Sequence, residues 1–290
     1  MREADEQTIT EAVVESVRGA PDPRVRQVSE ALVRHLHAFV REIEPSEAEW
    51  EWAIGFLTDT GHMCSQTRQE FILLSDTLGV SMLVDAINHR FPEGATETTV
   101  FGPFYVPPPA FAAGDDISAG RSGRPMYIGG SVADAKGQPI AGATVDIWHS
   151  DDEGFYDLQK LDHEPGLSGR GRFETDAAGR FHLWTIRPTA YPIPSDGPVG
   201  RMLAAQGRHP FRPEHVHFMI TAPGQAKLVT HIFADGDTYL DSDVVFGVKT
   251  SLIRTYEQHA GGAAPDGRAM TGEWFSLVHD FRLAPSREGR

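Results

Sequence analysis

Apolar residues recur at helical spacing through the first hundred residues of the chain. In the segment DPRVRQVSEALVRHLHAFVREI they follow one another at steps of three and four residues, at Val25, Val28, Leu32, Leu36, Phe39 and Ile43. This spacing places them on one face of a helix. The sequences SEAE at 46–49 and TRQE at 67–70 match the capping box that begins many helices. The pattern predicts three to five helices, counting one around residues 7–18.

The pattern changes near residue 100, after the proline- and glycine-rich passage VFGPFYVPPPAF. Short runs rich in β-branched and aromatic residues follow: MYIGGSV, ATVDIWH, GRFET, RFHLWTI, HVHFMIT and LVTHIF. TDAAGRF predicts a hairpin turn in which Gly179 takes a positive φ. Short strands joined by loops are typical of antiparallel sandwiches and barrels. We therefore predict a helical region over 1–100 and a mainly β, antiparallel β-sandwich catalytic domain over 101–290.

The composition is that of a globular protein and narrows the classes of partner. The formal net charge is −15, from 26 Lys and Arg against 41 Asp and Glu. Nucleic acid and anionic membranes would repel such a chain. The lone cysteine, Cys64, excludes an intrachain disulfide and fits a reducing compartment. The acidic start MREADEQTIT lacks an apolar core, and no apolar run could span a bilayer. We expect a cytoplasmic protein without a signal peptide.

Two histidines lie one residue apart in RPEHVHF, residues 212–218. On a strand, residues i and i+2 share a face, so His215 and His217 could bind one metal ion. His35 and His37 have the same spacing, but their segment is helical, and residues two apart on a helix do not share a face. A buried, hydrogen-bonded histidine pair explains the strand motif equally well. The spacing alone leaves both interpretations open.

A metal site would need further ligands from outside this strand. The lone cysteine excludes thiolate sites, and alternation points Glu214 to the opposite face of the strand. Tyr156 lies in the acidic turn SDDEGFYD, and Tyr191 lies in a proline-rich loop. Each tyrosine could instead fill space or complete a turn. A transthyretin-like or carbohydrate-binding sandwich without catalysis is therefore the alternative from another class.

Several long motifs occur in order along the chain: TVFGPFYVP, VDIWHSDDEGFYD, AYPIP, RPEHVHF and THIFADGDTYLDSDVVFGVK. Together they resemble the intradiol ring-cleavage dioxygenases over roughly residues 67–256. The resemblance implies a non-haem Fe(III) ion, one per subunit. It implies four ligands, which are Tyr156, Tyr191, His215 and His217. Phenolate is a hard, anionic ligand that suits Fe(III).

The resemblance also implies the reaction and its catalytic residues. An aromatic diol or triol would chelate the iron, and O2 would open the ring between the two hydroxyls to give a muconate. Tyr191 is expected to accept a substrate proton and leave the metal. Arg212 is expected to stabilise the carbanionic substrate. His231 stands where catechol enzymes carry Gln, and we expect it next to the ligands without binding the metal.

For the substrate, the motifs favour hydroxyquinol, cleaved to 3-hydroxy-cis,cis-muconate or maleylacetate in aromatic catabolism. Catechol and chlorocatechol are the alternatives. Asp76, an acid in the apolar segment EFILLSDTLGVSMLV, is expected to bind the third hydroxyl beside Leu73. The expected apolar walls are Val100, Phe101, Gly102, Pro103, Phe104, Ile193, Pro194 and Val245. The resemblance finally implies a homodimer formed through the N-terminal helices, with a phospholipid bound between them.

Overall fold

The structure, a computed structural model, describes residues 4–65, 68–163 and 166–286. The chain divides into two compact units, Met1–Asp59 and Thr60–Arg290. Five helices precede the sheets, as the periodicity predicts. They are α1 (Ile9–Val17), α2 (Pro23–Ile43), α3 (Glu47–His62), α4 (Glu70–Thr77) and α5 (Val80–Asn88). The change from helix to strand near residue 100 thus lies inside the second unit, which also holds α4 and α5.

The helix starts follow local chemistry. The Asp22 side chain accepts hydrogen bonds from the backbone N–H groups of Arg24 and Val25 and caps α2. At α3, the Ser46 N–H donates to Glu49 at 2.8 Å and the Glu49 N–H donates to Ser46 Oγ at 3.3 Å, so the predicted capping box is confirmed. Thr67, expected to cap α4, lies outside the described residues.

The apolar face of α2 is exposed in the single chain. Leu32 is 57% exposed and Phe39 is 56% exposed, and the helix has no buried residue. The periodicity therefore predicts the helix correctly, but its apolar face is not part of a core within the chain. Among the described residues, no helix combines the length and the apolar composition needed to cross a membrane.

Fourteen strands form the β part of the described chain, and the six predicted runs are all confirmed. The strands are β1 (Pro125–Asp134), β2 (Thr144–Trp148), β3 (Arg170–Glu174), β4 (Arg180–Ile186), β5 (Tyr191–Pro192), β6 (Phe211–Arg212), β7 (His215–Thr221), β8 (Leu228–Ala234), β9 (Ile253–Arg254), β10 (Glu257–His259), β11 (Gly262–Ala263), β12 (Ala269–Met270), β13 (Trp274–Val278) and β14 (Phe281–Leu283). Two helices lie among them, α6 (Asp157–Lys160) and α7 (Pro198–Ala205). The sequence did not indicate α7, because its segment contains so many prolines; Pro198 occupies the first helical turn, where proline is tolerated.

Two five-stranded sheets enclose the main core. One has the order β10-β13-β1-β14, with β4 also pairing with β1, and the other has the order β3-β2-β7-β8-β9. Fully buried side chains from both sheets form one apolar cluster, among them Ile128, Leu183, Val145, Phe218 and Ile232. The inward positions alternate along β2 and β7, as a sandwich requires, whereas the last three residues of β8 are all buried in this cluster.

The expectation of antiparallel sheets is wrong in part. β1 pairs in parallel with β13 and β14, and β8 pairs in parallel with β9. The sheets are therefore mixed. Parallel neighbours need a long crossover between them. A strand's own residue pattern reports burial but does not report the direction of a partner far along the chain.

The turn around Gly179 corrects a second expectation. Gly179 has the predicted positive φ, at 74°, and the Asp176 carboxylate accepts hydrogen bonds from the backbone of Ala178 and Arg180, each at 2.8 Å. However, β3 and β4 on either side belong to different sheets. The turn is therefore not a hairpin between paired strands. It carries the chain from one layer of the sandwich to the other.

We predict that Gly179→Ala destabilises the protein more than Gly224→Ala. Both glycines have φ near 75°, but a Cβ at Gly179 would lie 2.6 Å from the Val132 carbonyl oxygen, whereas one at Gly224 would meet open space. Gly224→Ala should cost only the strain of left-handed backbone, about 1–2 kcal/mol. Denaturant unfolding of both variants measures the difference. Equal losses would contradict a steric role for the crossing turn.

Candidate metal centre

Strand β7 brings His215 and His217 onto one face, as their spacing predicts. Both are buried, and their Nε2 atoms lie 3.2 Å apart. His215 Nδ1 lies 2.6 Å from the Pro213 carbonyl oxygen, which can only accept a hydrogen bond. Nδ1 therefore carries the proton, and the Nε2 lone pair faces the cluster. A backbone carbonyl fixes the tautomer of many metal-binding histidines in this way.

Tyr156 reaches the same point from the turn after β2. It occupies the N-cap of α6, where its N–H donates to the Gln159 side chain at 2.8 Å. Its Oη lies 2.8 Å from His217 Nε2, and its ring stacks on Phe104 with centroids 4.4 Å apart. The tyrosine is thus held by its backbone at one end and by an aromatic contact along its ring.

A buried ion pair holds the turn that carries Tyr156. The adjacent Asp157 carboxylate is bound by both the Nε and the Nη2 of Arg170, and the Nε bond is 2.6 Å long. The Arg170 Nη1 donates to the Phe104 carbonyl oxygen at 3.0 Å. Arg170 therefore connects the Tyr156 turn to the segment whose aromatic ring packs against that tyrosine.

Tyr191 enters from the proline-rich loop, which the short strands β5 and β6 close. In this pair, Tyr191 stands opposite Arg212. Tyr191 Oη lies 3.4 Å from Tyr156 Oη. Gly154 makes the approach possible, because it has φ of 86° and a Cβ there would lie 2.9 Å from the Tyr191 Cβ. Gly154 in the Tyr156 turn and the short β5–β6 pair that holds Tyr191 therefore place the two tyrosines side by side.

The four donor atoms have the spacing of ligands around one ion. Consecutive separations are 3.4 Å from Tyr191 to Tyr156, 2.8 Å from Tyr156 to His217 and 3.2 Å from His217 to His215. Two atoms each about 2.1 Å from a metal and about 90° apart would be about 3 Å from one another. The two phenol oxygens and two imidazole nitrogens therefore fit a single small cation.

Burial determines the charge of these side chains. It lowers the pKa of His215 and of His217 well below the usual range, so both imidazoles are neutral and able to donate lone pairs. It raises the pKa of Tyr156 well above 10 and also raises that of Tyr191. Only a strongly charged cation would displace the phenol protons in this environment.

Arg212 is a buried cation beside the four donor atoms. Its Nε and Nη2 bond the two oxygens of Asp243 at 3.1 and 3.3 Å, and its Nη1 lies 3.3 Å from His215 Nε2. Its charge and its hydrogen bond to Tyr191 lower the pKa of that phenol against the larger effect of burial. Sequence reasoning missed Asp243. A buried arginine requires a buried acid, but the segment ADGDTYLDSD offers several.

His231 lies behind the pair on β7. It stands opposite His217 on β8, and its Nδ1 hydrogen-bonds the Thr99 hydroxyl. Its Nε2 has no hydrogen-bond partner within the described residues. The donor nitrogens of the three histidines lie within 4.8 Å of one another. Gly102 covers the pair from another side, since a Cβ there would lie 3.2 Å from His217 Cε1.

A cavity of about 540 Å³ borders this cluster through Thr99, which bonds His231, and through Gly102, which lies against His217; none of the four donor residues lines it. Of the residues expected to bind substrate, Asp76, Val100, Phe101 and Gly102 line it. Leu73, Val100, Phe104, Ile193 and Val245 belong to the buried apolar cluster that contains Tyr156 and Tyr191. Pro103 and Pro194 are half-buried beside these residues in the chain. Ser75 and Ser81 also line the cavity, and sequence reasoning had not singled them out as site residues.

Comparison with known proteins identifies the family. Residues 101–285 match the family model described as dioxygenase, and residues 22–96 match the one described as catechol dioxygenase N terminus. The chain belongs to the intradiol ring-cleavage dioxygenases. Family membership decides against a binding sandwich without catalysis. Dioxygenases of this family depend on iron, and the buried histidines of this chain are consistent with a metal site.

Individual relatives of this dioxygenase match along almost the whole chain. A hydroxyquinol 1,2-dioxygenase from Nocardioides simplex is 50% identical, over 98% of this chain and 97% of its own length. A 6-chlorohydroxyquinol 1,2-dioxygenase from Cupriavidus pinatubonensis is 51% identical, over 99% and 100%. The crystal structure of hydroxyquinol 1,2-dioxygenase from Pseudomonas putida DLL-E4 superposes with a TM-score of 0.90 at 48% identity, over 97% of this chain and 99% of that one.

Proposed function

We propose that this dioxygenase cleaves hydroxyquinol between its two vicinal hydroxyls, with O2, to 3-hydroxy-cis,cis-muconate or its tautomer maleylacetate. Both oxygen atoms of O2 enter the product. The observation that most supports this substrate is the burial of Asp76. This residue is only 4% exposed, and it lines the cavity that borders the donor cluster. A buried carboxyl needs polar partners, and the Ser81 hydroxyl supplies one to Asp76. A third ring hydroxyl would be a further partner, and a relative that is 50% identical to this chain bears the name hydroxyquinol 1,2-dioxygenase.

We further propose that one Fe(III) ion per subunit is held by Tyr156, Tyr191, His215 and His217. Two phenolates, two neutral imidazoles and one hydroxide sum to zero charge with a trivalent ion. With a divalent ion the same set would carry a net negative charge inside the sandwich, where charge is expensive. When bound, the ferric ion would supply a Lewis acid for the two vicinal oxygens of the substrate and would draw electron density from the ring.

The protein's own residues would move protons and stabilise charge. Tyr191 would accept a substrate proton at Oη, because burial favours its neutral phenol over the charged phenolate. Arg212 is preorganised by Asp243 and would stabilise negative charge that develops on the substrate. Phe101 and Val100 would exclude water from the ring. His231 would support His217 without binding the metal.

Catechol and chlorocatechol are the weaker alternatives within the family. Both lack the third hydroxyl, so either would leave Asp76 against an apolar ring edge. A catechol 1,2-dioxygenase from Pseudomonas arvilla C-1 shares the fold with a TM-score of 0.83, but only 30% of its residues are identical. The fold alone therefore does not distinguish the substrates, and the buried carboxyl supports hydroxyquinol.

We predict that replacing Tyr156 and replacing Tyr191 with Phe have different effects on the enzyme. Tyr156→Phe should abolish turnover and shift the visible phenolate-to-iron absorption. Tyr191→Phe should keep much of the iron and some colour but lose the group that accepts the substrate proton. Iron content and the visible spectrum after reconstitution measure both. Tyr256→Phe is the control, because Tyr256 is also buried but donates to the Ile232 carbonyl oxygen at 2.8 Å. Identical iron loss in both site variants would contradict the assigned roles.

We predict that Asp76→Ala lowers kcat/KM for hydroxyquinol far more than for catechol. An unpaired buried hydroxyl costs about 1–3 kcal/mol, a factor of about 5 to 150. Steady-state turnover of hydroxyquinol, catechol and 4-chlorocatechol by the native enzyme and the variant is the measurement. The native enzyme should prefer hydroxyquinol. Equal losses of kcat/KM for hydroxyquinol and for catechol would show that Asp76 does not bind the third hydroxyl.

We also propose that a second copy of this chain covers the apolar face of α2. That face keeps Val25, Val28, Leu32 and Leu36 about half exposed, which is unusual for a surface that stays in water. The phospholipid implied by the family resemblance remains a prediction, and lipid extraction from the purified protein followed by mass spectrometry would detect it.

We predict a dimer in sedimentation velocity at micromolar concentration. Replacing both Leu32 and Leu36 with Glu should give a folded monomer, because two charges would be buried in the apolar contact. Gln27→Glu, an exposed change on the same helix outside the apolar face, should leave the dimer intact. A native protein that sediments as a monomer would end this proposal.

A further inference from the structure

The turn between α4 and α5 places a second polar group against Asp76. Asp76 lies in the last turn of α4, and Ser81 lies in the first turn of α5. Gly79 makes the connection tight, with φ of 72° at the N-cap of α5 and an N–H that donates to the Asp76 carbonyl oxygen at 3.0 Å. The first turn of α5 is therefore folded back beside the carboxyl.

A short chain of hydroxyls ends at that carboxyl. Ser75 Oγ lies 2.8 Å from Ser81 Oγ, and the Ser81 hydroxyl is close enough to the Asp76 carboxyl for a hydrogen bond between them to lower the pKa of Asp76. An ionised carboxylate can only accept, so Ser81 donates to Asp76 and is left to accept from Ser75. All three side chains line the cavity next to the candidate metal centre. Ser81 of α5 thus adds a third polar group to Ser75 and Asp76 of the otherwise apolar helix α4.

We infer that Ser81 is a specificity-determining positioning residue, whose hydroxyl orients the Asp76 carboxyl so that its free oxygen accepts the third hydroxyl of the substrate. This inference rests on the proposed function. A carboxylate with one oxygen already bonded has fewer orientations to lose when substrate binds. The other oxygen of the Asp76 carboxylate stays free to accept a hydrogen bond from the phenolic O–H of the substrate.

The charge of Asp76 depends on a balance of neighbours. Burial is the largest effect and raises the pKa of Asp76. The Ser81 hydrogen bond and, to a smaller extent, the charge of Arg212 lower this pKa, and the charge of Asp243 raises it. The other titratable or charged groups of the cavity wall are Asp85 and His89 on α5 and Lys227 before β8. Loss of the Ser81 hydroxyl removes one of the two effects that favour the ionised form, so the pKa of Asp76 should rise further.

The direction of the pH effect follows from this balance. The ionised carboxylate accepts the substrate hydroxyl more strongly than the protonated carboxyl does, so kcat/KM for hydroxyquinol should fall as the pH drops through the pKa of Asp76. Ser81→Ala should move this acidic limb to higher pH. The same limb measured with catechol should not move, because catechol has no hydroxyl for Asp76 to bind.

The experiment compares three variants of the iron-loaded enzyme. Ser81→Ala should lower the ratio of kcat/KM for hydroxyquinol over catechol about tenfold, and Ser81→Thr, which keeps the hydroxyl, should restore most of it. Thr77→Val is the matched control. Thr77 is buried in the same turn, but its hydroxyl donates to the Leu74 carbonyl oxygen at 3.2 Å and does not line the cavity. The control should leave the ratio and both pH profiles unchanged.

A double variant separates failure of this inference from failure of the proposed function. In the Asp76→Ala background, Ser81→Ala should cause no further loss of the ratio, because the two residues act as one unit. If Asp76→Ala itself leaves the ratio unchanged, the proposed substrate recognition is wrong. If Asp76→Ala lowers the ratio but Ser81→Ala lowers turnover of both substrates equally, or moves neither acidic limb, the role of Ser81 is overturned.

Discussion

The candidate centre depends on the compensation of charge inside the sandwich. Two buried arginines are each paired with a buried aspartate, Arg170 with Asp157 and Arg212 with Asp243. Each pair adjoins one of the two site tyrosines, since Asp157 follows Tyr156 in the chain and Arg212 stands opposite Tyr191 in the ribbon. Buried ion pairs contribute little to net stability, but breaking one leaves an uncompensated charge. The two ion pairs therefore fix the positions of the two loops. As a result, the tyrosines on these loops lie next to each other.

Strand positions and the histidine pair could be predicted from the sequence because both depend on local alternation. Alternation along β7 is sufficient to put His215 and His217 on one face. The tyrosines were different, since nothing in a single turn indicates what it faces, and only the resemblance to a family gave them the role of ligands. The parallel partners of β1, the exposed face of α2 and the layer change at Gly179 depend on distant segments or on other chains. Asp243 and Ser81 were missed because their partners lie on other segments.

The proposed metal ligands and the residues proposed to select the substrate, Asp76 and Ser81, come from different parts of this chain. The four donor residues lie within the part that matches the dioxygenase model, residues 101–285, whereas Asp76 and Ser81 lie within the part that matches the N-terminal model, residues 22–96. A helix can change its side chains without disturbing the strands that hold the metal ligands. This separation offers a physical reason why one sandwich could serve catechols, chlorocatechols and hydroxyquinols.

The parallel pairing of β1 has a consequence for synthesis on the ribosome. β1 (Pro125–Asp134) emerges early, but two of its neighbours, β13 (Trp274–Val278) and β14 (Phe281–Leu283), are made last. Until then, β1 can pair only with β4 and keeps an open edge with unpaired backbone N–H and C=O groups. Non-local pairing of this kind is slow and leaves the nascent chain prone to association. The sheet can close only after nearly the whole polypeptide has been translated, so a chain that stops short of residue 274 would lack both parallel neighbours of its central strand.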